Sequence, residues 1–134
     1  MNEDEARQRF AAARVARLAT VDPAGRPHLV PIVFVLTDGT VFHGVDAKPK
    51  HHHDLRRLAN LAANPQASVL VDHYADDWSA LWWVRADGIA RDVNPGGQEG
   101  LRVVESLRAR YPQYRLEGRL VGIDVLHWSR WSAT

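Results

Sequence analysis

Apolar residues recur along this chain with two different periods. Residues 3–14 set Ala6, Phe10 and Ala13 among charges, a helical spacing, with Glu3, Asp4 and Glu5 suited to the positive N-terminal end and Arg14 and Arg17 to the other pole. From 17 to 21 the period shortens to that of a strand, and Asp22-Pro23-Ala24-Gly25 supplies the turn into a hairpin. Residues 27–36 are too continuously apolar for a strand with one wet face, so both faces are expected to be covered. Thr37-Asp38-Gly39 then reverses the chain into a strand over 41–45. Pro31 cannot donate to a ladder and marks an edge, a bulge or a bend beside a ligand.

Further on, Leu55, Leu58, Leu61 and Ala62 return to helical spacing until Asn64-Pro65 stops them. Strand composition follows over 67–74, 81–93 and 120–128. A last helix fits 97–110, where Leu101, Val104 and Leu107 form one stripe after the breaker Asn94-Pro95-Gly96-Gly97. Local hairpins with few crossovers predict a mainly β fold with peripheral helices, a six-stranded antiparallel barrel and not a doubly wound sheet. The 134 residues suit one domain, 1–134, since two cores would each fall near the lower size limit.

Composition narrows the function. There is no cysteine, hence no disulfide, thiolate ligand or Cys nucleophile. A net charge of +1 is too small for the extended basic surface that duplex nucleic acid requires. No apolar run approaches the ~18 residues that span a bilayer, and the start Met-Asn-Glu-Asp-Glu is acidic, so a cytoplasmic protein without membrane or nucleic-acid partners is expected. Neither GxGxxG nor GxxxxGK[ST] occurs.

The charge that exists is local. Lys48, Lys50, Arg56 and Arg57 against Asp54 leave +3 between a strand end and a helix start, where backbone N–H groups and the helix dipole also favour an anion. Lys48 and Lys50 are two apart, so on an extended segment they project to one side and can grip one phosphate; a solvated turn is the plainer alternative. Three consecutive histidines, 51–53, cannot converge on one ion without unusual backbone, so no metal is expected there, only pH-dependent positive charge near a bound anion. Trp82 and Trp83 are adjacent in a strand and face opposite sides, one toward the core and one toward a partner surface or ring system. Trp128 and Trp131 lie so near the chain end that they are expected to dock onto a neighbouring subunit or a cofactor edge. His28, His43, His73 and His127 read as structural histidines and Asp76-Asp77 as turn residues, and no serine sits in a nucleophile elbow. No catalytic residue is assigned.

Together, segments 16–34, 45–50, 55–65 and 77–88 resemble the pyridoxamine 5′-phosphate oxidase-like split β-barrel superfamily, and within it the flavin/deazaflavin-dependent oxidoreductases that use coenzyme F420. The resemblance covers nearly the whole chain. It implies a homodimer of six-stranded split barrels with two equivalent cofactor sites between subunits. The cofactor phosphate would sit on Lys48 and Lys50 beside the helix beginning near His52, and the ring along the strand holding His28, Pro31, Ile32 and Val33. The opposing subunit would add aromatic surface from Trp82 or Trp83 and from Trp128 and Trp131. The implied reaction is hydride transfer from reduced F420 to a small unsaturated substrate, with the cofactor carrying the chemistry. Alternatives are an FMN-dependent oxidase or reductase, a non-catalytic binder of flavin, haem or tetrapyrrole, and a dimer without ligand.

Overall fold

The computed structural model describes residues 1–46 and 52–134. Among them the elements are α1 (Glu3–Ala12), β1 (Ala16–Val21), β2 (Pro27–Ile32), β3 (Val35–Thr37), β4 (Thr40–Asp46), α2 (His52–Ala63), β5 (Gln66–His73), β6 (Trp82–Val93), α3 (Gln98–Arg110) and β7 (Leu116–Ser132), with a 3-10 turn at Trp78–Ala80. All the strands join one antiparallel sheet in the order β2-β1-β5-β6-β7-β4-β3. Its edge strands, β2 and β3, are consecutive in the chain, so the sheet must curl until its edges approach. No helix among the described residues is long and apolar enough to cross a membrane.

Among the described residues the sheet has seven strands where the sequence predicts six. The apolar run 27–36 breaks at Val33-Phe34, sending Pro27–Ile32 to pair with β1 and Val35–Thr37 with β4. The Phe34 N–H donates to the Tyr111 hydroxyl (3.3 Å), which lies 3.0 Å from the Phe34 carbonyl, while the Arg110 guanidinium covers the Phe34 ring at 5.2 Å. With its backbone groups taken by side chains, Phe34 cannot continue a ladder, and the chain turns a corner. The 37–39 reversal is the expected tight one: Asp38 (φ 51°) and Gly39 (φ 77°) are both left-handed, as a two-residue hairpin turn demands.

β7 is longer than its apolar stretch suggests, because it pairs with β4 along its first half and with β6 as far as Trp82 opposite Ser132. Inside the barrel, Leu18, Val41, Val69, Val71, Val84 and Ile123 form the main core; α1 adds Ala6 and Phe10, and α2 adds Leu58 and Leu61. α3 packs Val103 and Leu107 on a second cluster with Val35, Phe42, Val93 and Leu120. Its buried stripe is Gly100, Val103 and Leu107; the predicted Leu101 is exposed. Arg91 fastens α3 to the sheet, with both terminal nitrogens on Glu99 (2.8 and 3.1 Å) and Nε on Asp124 (2.8 Å).

The β6–β7 register slips between Asp87 and Gly88. Asp87 faces His127 and Gly88 faces Val125, so Leu126 is the extra residue of a β-bulge. A Cβ on Gly88 would collide with the Asp124 carbonyl and stand 3.1 Å from Ile123 Cγ2, backbone and core that cannot yield. Gly88→Ala is therefore expected to lower stability by about 1–3 kcal/mol, as overpacking does. A thermal melt matching the parent's would show that the bulge is not held this tightly.

Candidate functional site

The bulge gives the outer face of the sheet its relief. Two successive residues on the bulged strand oppose one on its neighbour, and Leu126 and His127 both stand exposed beside Asp87. Next to them a groove of about 460 Å³ crosses the sheet. Ala19, Val21, Pro27, Ile89 and Leu126 supply apolar walls. Polar atoms on its floor belong to a connected set: Asp87 Oδ1 accepts from Ser68 Oγ (2.6 Å) and from Arg85 Nε (3.0 Å), and Arg85 Nη2 donates to Ser129 Oγ (3.2 Å). The Arg85 guanidinium also stands 6.0 Å from the centre of the Trp83 ring.

At the same end of the sheet α2 seats on the barrel through buried polar contacts. Asn60 Nδ2 donates to Thr20 Oγ1 (3.0 Å), and Arg57 Nη2 donates to the Gly44 carbonyl (3.3 Å), where β4 leaves its regular register. A Cβ on Gly44 would come within 2.6 Å of Leu116 Cδ1 and Tyr114 Oη, so glycine lets the strand pass there. His43 is wholly buried beside these groups, and neither ring nitrogen has a hydrogen-bond partner among the described residues. Burial, and secondly the charge of Arg57, hold its pKa down at about 3. β4 ends at Asp46 and α2 begins at His52; Lys48 and Lys50, the expected phosphate grip, fall between them and lie outside the described residues, as does His51.

The remaining sequence-predicted residues divide. On β2, Pro31 is exposed, while His28 is half-buried opposite Thr20 with its Nδ1 buried and without a hydrogen-bond partner among the described residues. Val33 is half-buried against the α3 cluster. Ile32 points into the core at 4% exposure, so a ligand on this strand would reach it only through its backbone.

Trp82 and Trp83 do face opposite sides. Trp82 packs against the barrel core, with His73 stacked at 6.1 Å and Arg9 over the ring at 5.4 Å. Trp83 lies on the outer face directly across from Trp131, which is 46% exposed. Trp128 departs from the docking expectation: it is 8% exposed in the barrel core, edge-on to Phe10 at 5.1 Å. The C-terminal strand is tied into a ladder, so its alternation sends Trp128 inward and Trp131 outward. The Trp83–Trp131 pair is far from the β4–α2 junction. Gly44 is level with Val93 through Leu120, ten residues of β6 beyond Trp83, or about 30 Å of strand.

Of the histidines read as structural, His43 is buried but unsatisfied, and His73 and His127 are exposed. Asp77 is the turn residue expected, capping the 3-10 turn by accepting from the Ser79 N–H (3.0 Å). Among the described residues no group of three or more His, Asp or Glu could hold a metal ion. Sequence reasoning missed Asp87 and His127. The available signal was Gly88 inside a strand, which marks a bulge or a close backbone approach.

A family model described as pyridoxamine 5′-phosphate oxidase matches residues 3–131. The comparison with curated proteins gives no match. Among solved structures, the chain is 25% identical to a conserved hypothetical protein from Mycobacterium tuberculosis, with TM-score 0.78, covering 99% of this chain and 86% of that one. It is 22% identical to HutZ, the heme storage protein from Vibrio cholerae, with TM-score 0.75 and coverage of 97% and 93%. It is 19% identical to an FAD-binding protein from Mesorhizobium loti, with TM-score 0.75 and coverage of 97% and 92%.

Proposed function

Because the chain belongs to the pyridoxamine 5′-phosphate oxidase family, we propose that it is an oxidoreductase that binds coenzyme F420 and transfers a hydride between the deazaflavin and a small conjugated or heteroaromatic compound. The observation that carries this reading is the groove. Its volume of about 460 Å³ lies within the roughly 300–1,000 Å³ of small-molecule sites, and its few polar groups are set in apolar walls as such sites require. His28, whose Nδ1 has no hydrogen-bond partner among the described residues, lies on the strand expected to run along the ring. The choice of a deazaflavin follows from the resemblance of segments 16–34, 45–50, 55–65 and 77–88.

When bound, the cofactor supplies a two-electron hydride carrier. The chain's own part is to hold and to exclude. Lys48 and Lys50, which precede α2 in the sequence, would neutralise the phosphate, and the walls around Ala19, Pro27 and Ile89 would keep water from the ring. Trp83 and Trp131 stand too far from the β4–α2 junction to reach the same ligand within one chain, which favours a homodimer in which a second copy lays this pair over the site. A flavin, FMN or FAD, is the second reading, favoured by the FAD-binding structural neighbour. The heme storage neighbour favours a third, a non-catalytic binder.

Fluorescence-quench titration with F420, FMN and hemin separates the cofactors, and turnover of reduced F420 with an acceptor separates enzyme from carrier. Lys48→Ala combined with Lys50→Ala should weaken cofactor binding at least tenfold, about 1.4 kcal/mol, with the circular dichroism spectrum unchanged. Unchanged affinity in calorimetry would remove the lysines from the site.

A further inference from the structure

The geometry points to a specificity element that neither the lysines nor the family match assigns: Asp87 and His127, paired across the bulge, recognise the edge of a planar heterocycle that offers an N–H beside a carbonyl, as an imide or pyrimidinedione ring does. The inference rests on the groove being the cofactor's seat, and it names which edge of the ring is read. Asp87 is built as an acceptor. Ser68 Oγ and Arg85 Nε donate to Oδ1, and Arg85 Nε also lies 3.2 Å from Oδ2. A carboxylate has about four lone-pair sites, so Oδ2 retains capacity, fixed in direction by Arg85 and Ser68. His127 is the neighbouring donor, since an imidazole carries an N–H in either protonation state.

Regular pairing would have alternated residues 126 and 127 between the two faces of the sheet; the extra residue puts both on the outer one. Leu126 then contributes apolar wall and His127 a polar tip, directly across from Asp87. Apolar walls of this extent accept a ring system, and an acceptor beside a donor is the complement of an N–H beside a C=O. Phosphate is not needed for this recognition, so it is separable from the lysines.

The test uses riboflavin, N3-methylriboflavin and FMN, titrated against the full chain, Asp87→Ala and His127→Ala, with thermal melts to confirm folding. His127 is exposed, so its variant keeps the test valid if Asp87→Ala fails to fold. Methylation of N3 should weaken binding about tenfold in the parent and less than twofold in Asp87→Ala. His127→Ala should weaken riboflavin and FMN by the same factor, about fivefold, leaving their ratio unchanged. Equal affinity of the parent for riboflavin and its N3-methyl derivative would overturn the inference, as would unaltered riboflavin affinity in His127→Ala. If FMN binds the parent no better than riboflavin, the phosphate role of Lys48 and Lys50 fails while the methyl comparison still decides the ring edge. Absence of binding by all three probes overturns the inference, while the F420 titration still decides the phosphate role of the lysines.

Discussion

Trp128→Ala should cost about 3–5 kcal/mol of folding stability, whereas Trp131→Ala, three residues further along the same strand, should cost about 1 kcal/mol or less. The difference follows from strand parity. The Trp128 ring fills the α1 end of the barrel, edge-on to Phe10, with the Arg7 guanidinium 5.4 Å from its centre; truncation leaves a cavity bordered by a helix and a sheet that cannot both collapse into it. Trp131 loses only its cross-strand contact with Trp83 and half-exposed area. Urea denaturation of the two purified variants measures both losses. Comparable losses would mean that β7 is not held in this register. If a second copy covers Trp131, its replacement should instead shift the monomer–dimer balance, which sedimentation reads independently of the melt.

Acid should destabilise the protein well before its carboxylates titrate. His43 has a folded pKa of about 3 against 6.5 when unfolded, so between those values the unfolded chain takes up a proton that the folded chain refuses. Stability therefore falls as pH drops through this window, at up to about 1.4 kcal/mol per pH unit, and the effect levels off below the folded value. Against the roughly 5–15 kcal/mol that holds a domain of this kind, such a loss is large. Glu99 and Asp124 act lower down. Hydrogen bonds from Arg91 hold both carboxyls below their ordinary range, so what they contribute is present above about pH 4 and fades as pH falls further, and their side chains are exposed enough to keep it small. His43→Leu should flatten the curve between pH 6.5 and 3 and raise stability at neutral pH, because a buried imidazole with neither nitrogen bonded among the described residues is replaced by a side chain with no polar atom to desolvate. Superimposable acid curves for parent and variant would show that His43 finds a partner or protonates without penalty.

Much of the fold is legible from local pattern. The helical spacing of Phe10 and of Leu58 and Leu61, and the Asp38-Gly39 turn, all act over a few residues and keep their meaning in the folded chain. The break at Val33-Phe34 is not legible in this way. An unbroken apolar run says that both faces are covered; it does not say that Tyr111 and Arg110, from a helix more than seventy residues away, will capture the backbone of Phe34. The candidate site divides similarly. The basic stretch before α2 is visible as charge, and Trp82 and Trp83 as opposite faces of one strand. Asp87 and His127 are invisible as a pair because forty residues separate them and because the bulge that aligns them is a property of two strands together.

Composition and periodicity by themselves determined the class of fold, most of the helix and strand positions, the lack of thiol chemistry and the local excess of positive charge in the sequence before α2, since each depends on side chains a few positions apart. Only the tertiary structure decided that Trp128 belongs to the core and Trp131 to the surface, that His43 is wholly buried, and that Asp87 and His127 share one groove. Those outcomes depend on which strand lies beside which and on a one-residue slip in register, and with a side-chain period of two such a slip moves a residue from one face of a sheet to the other.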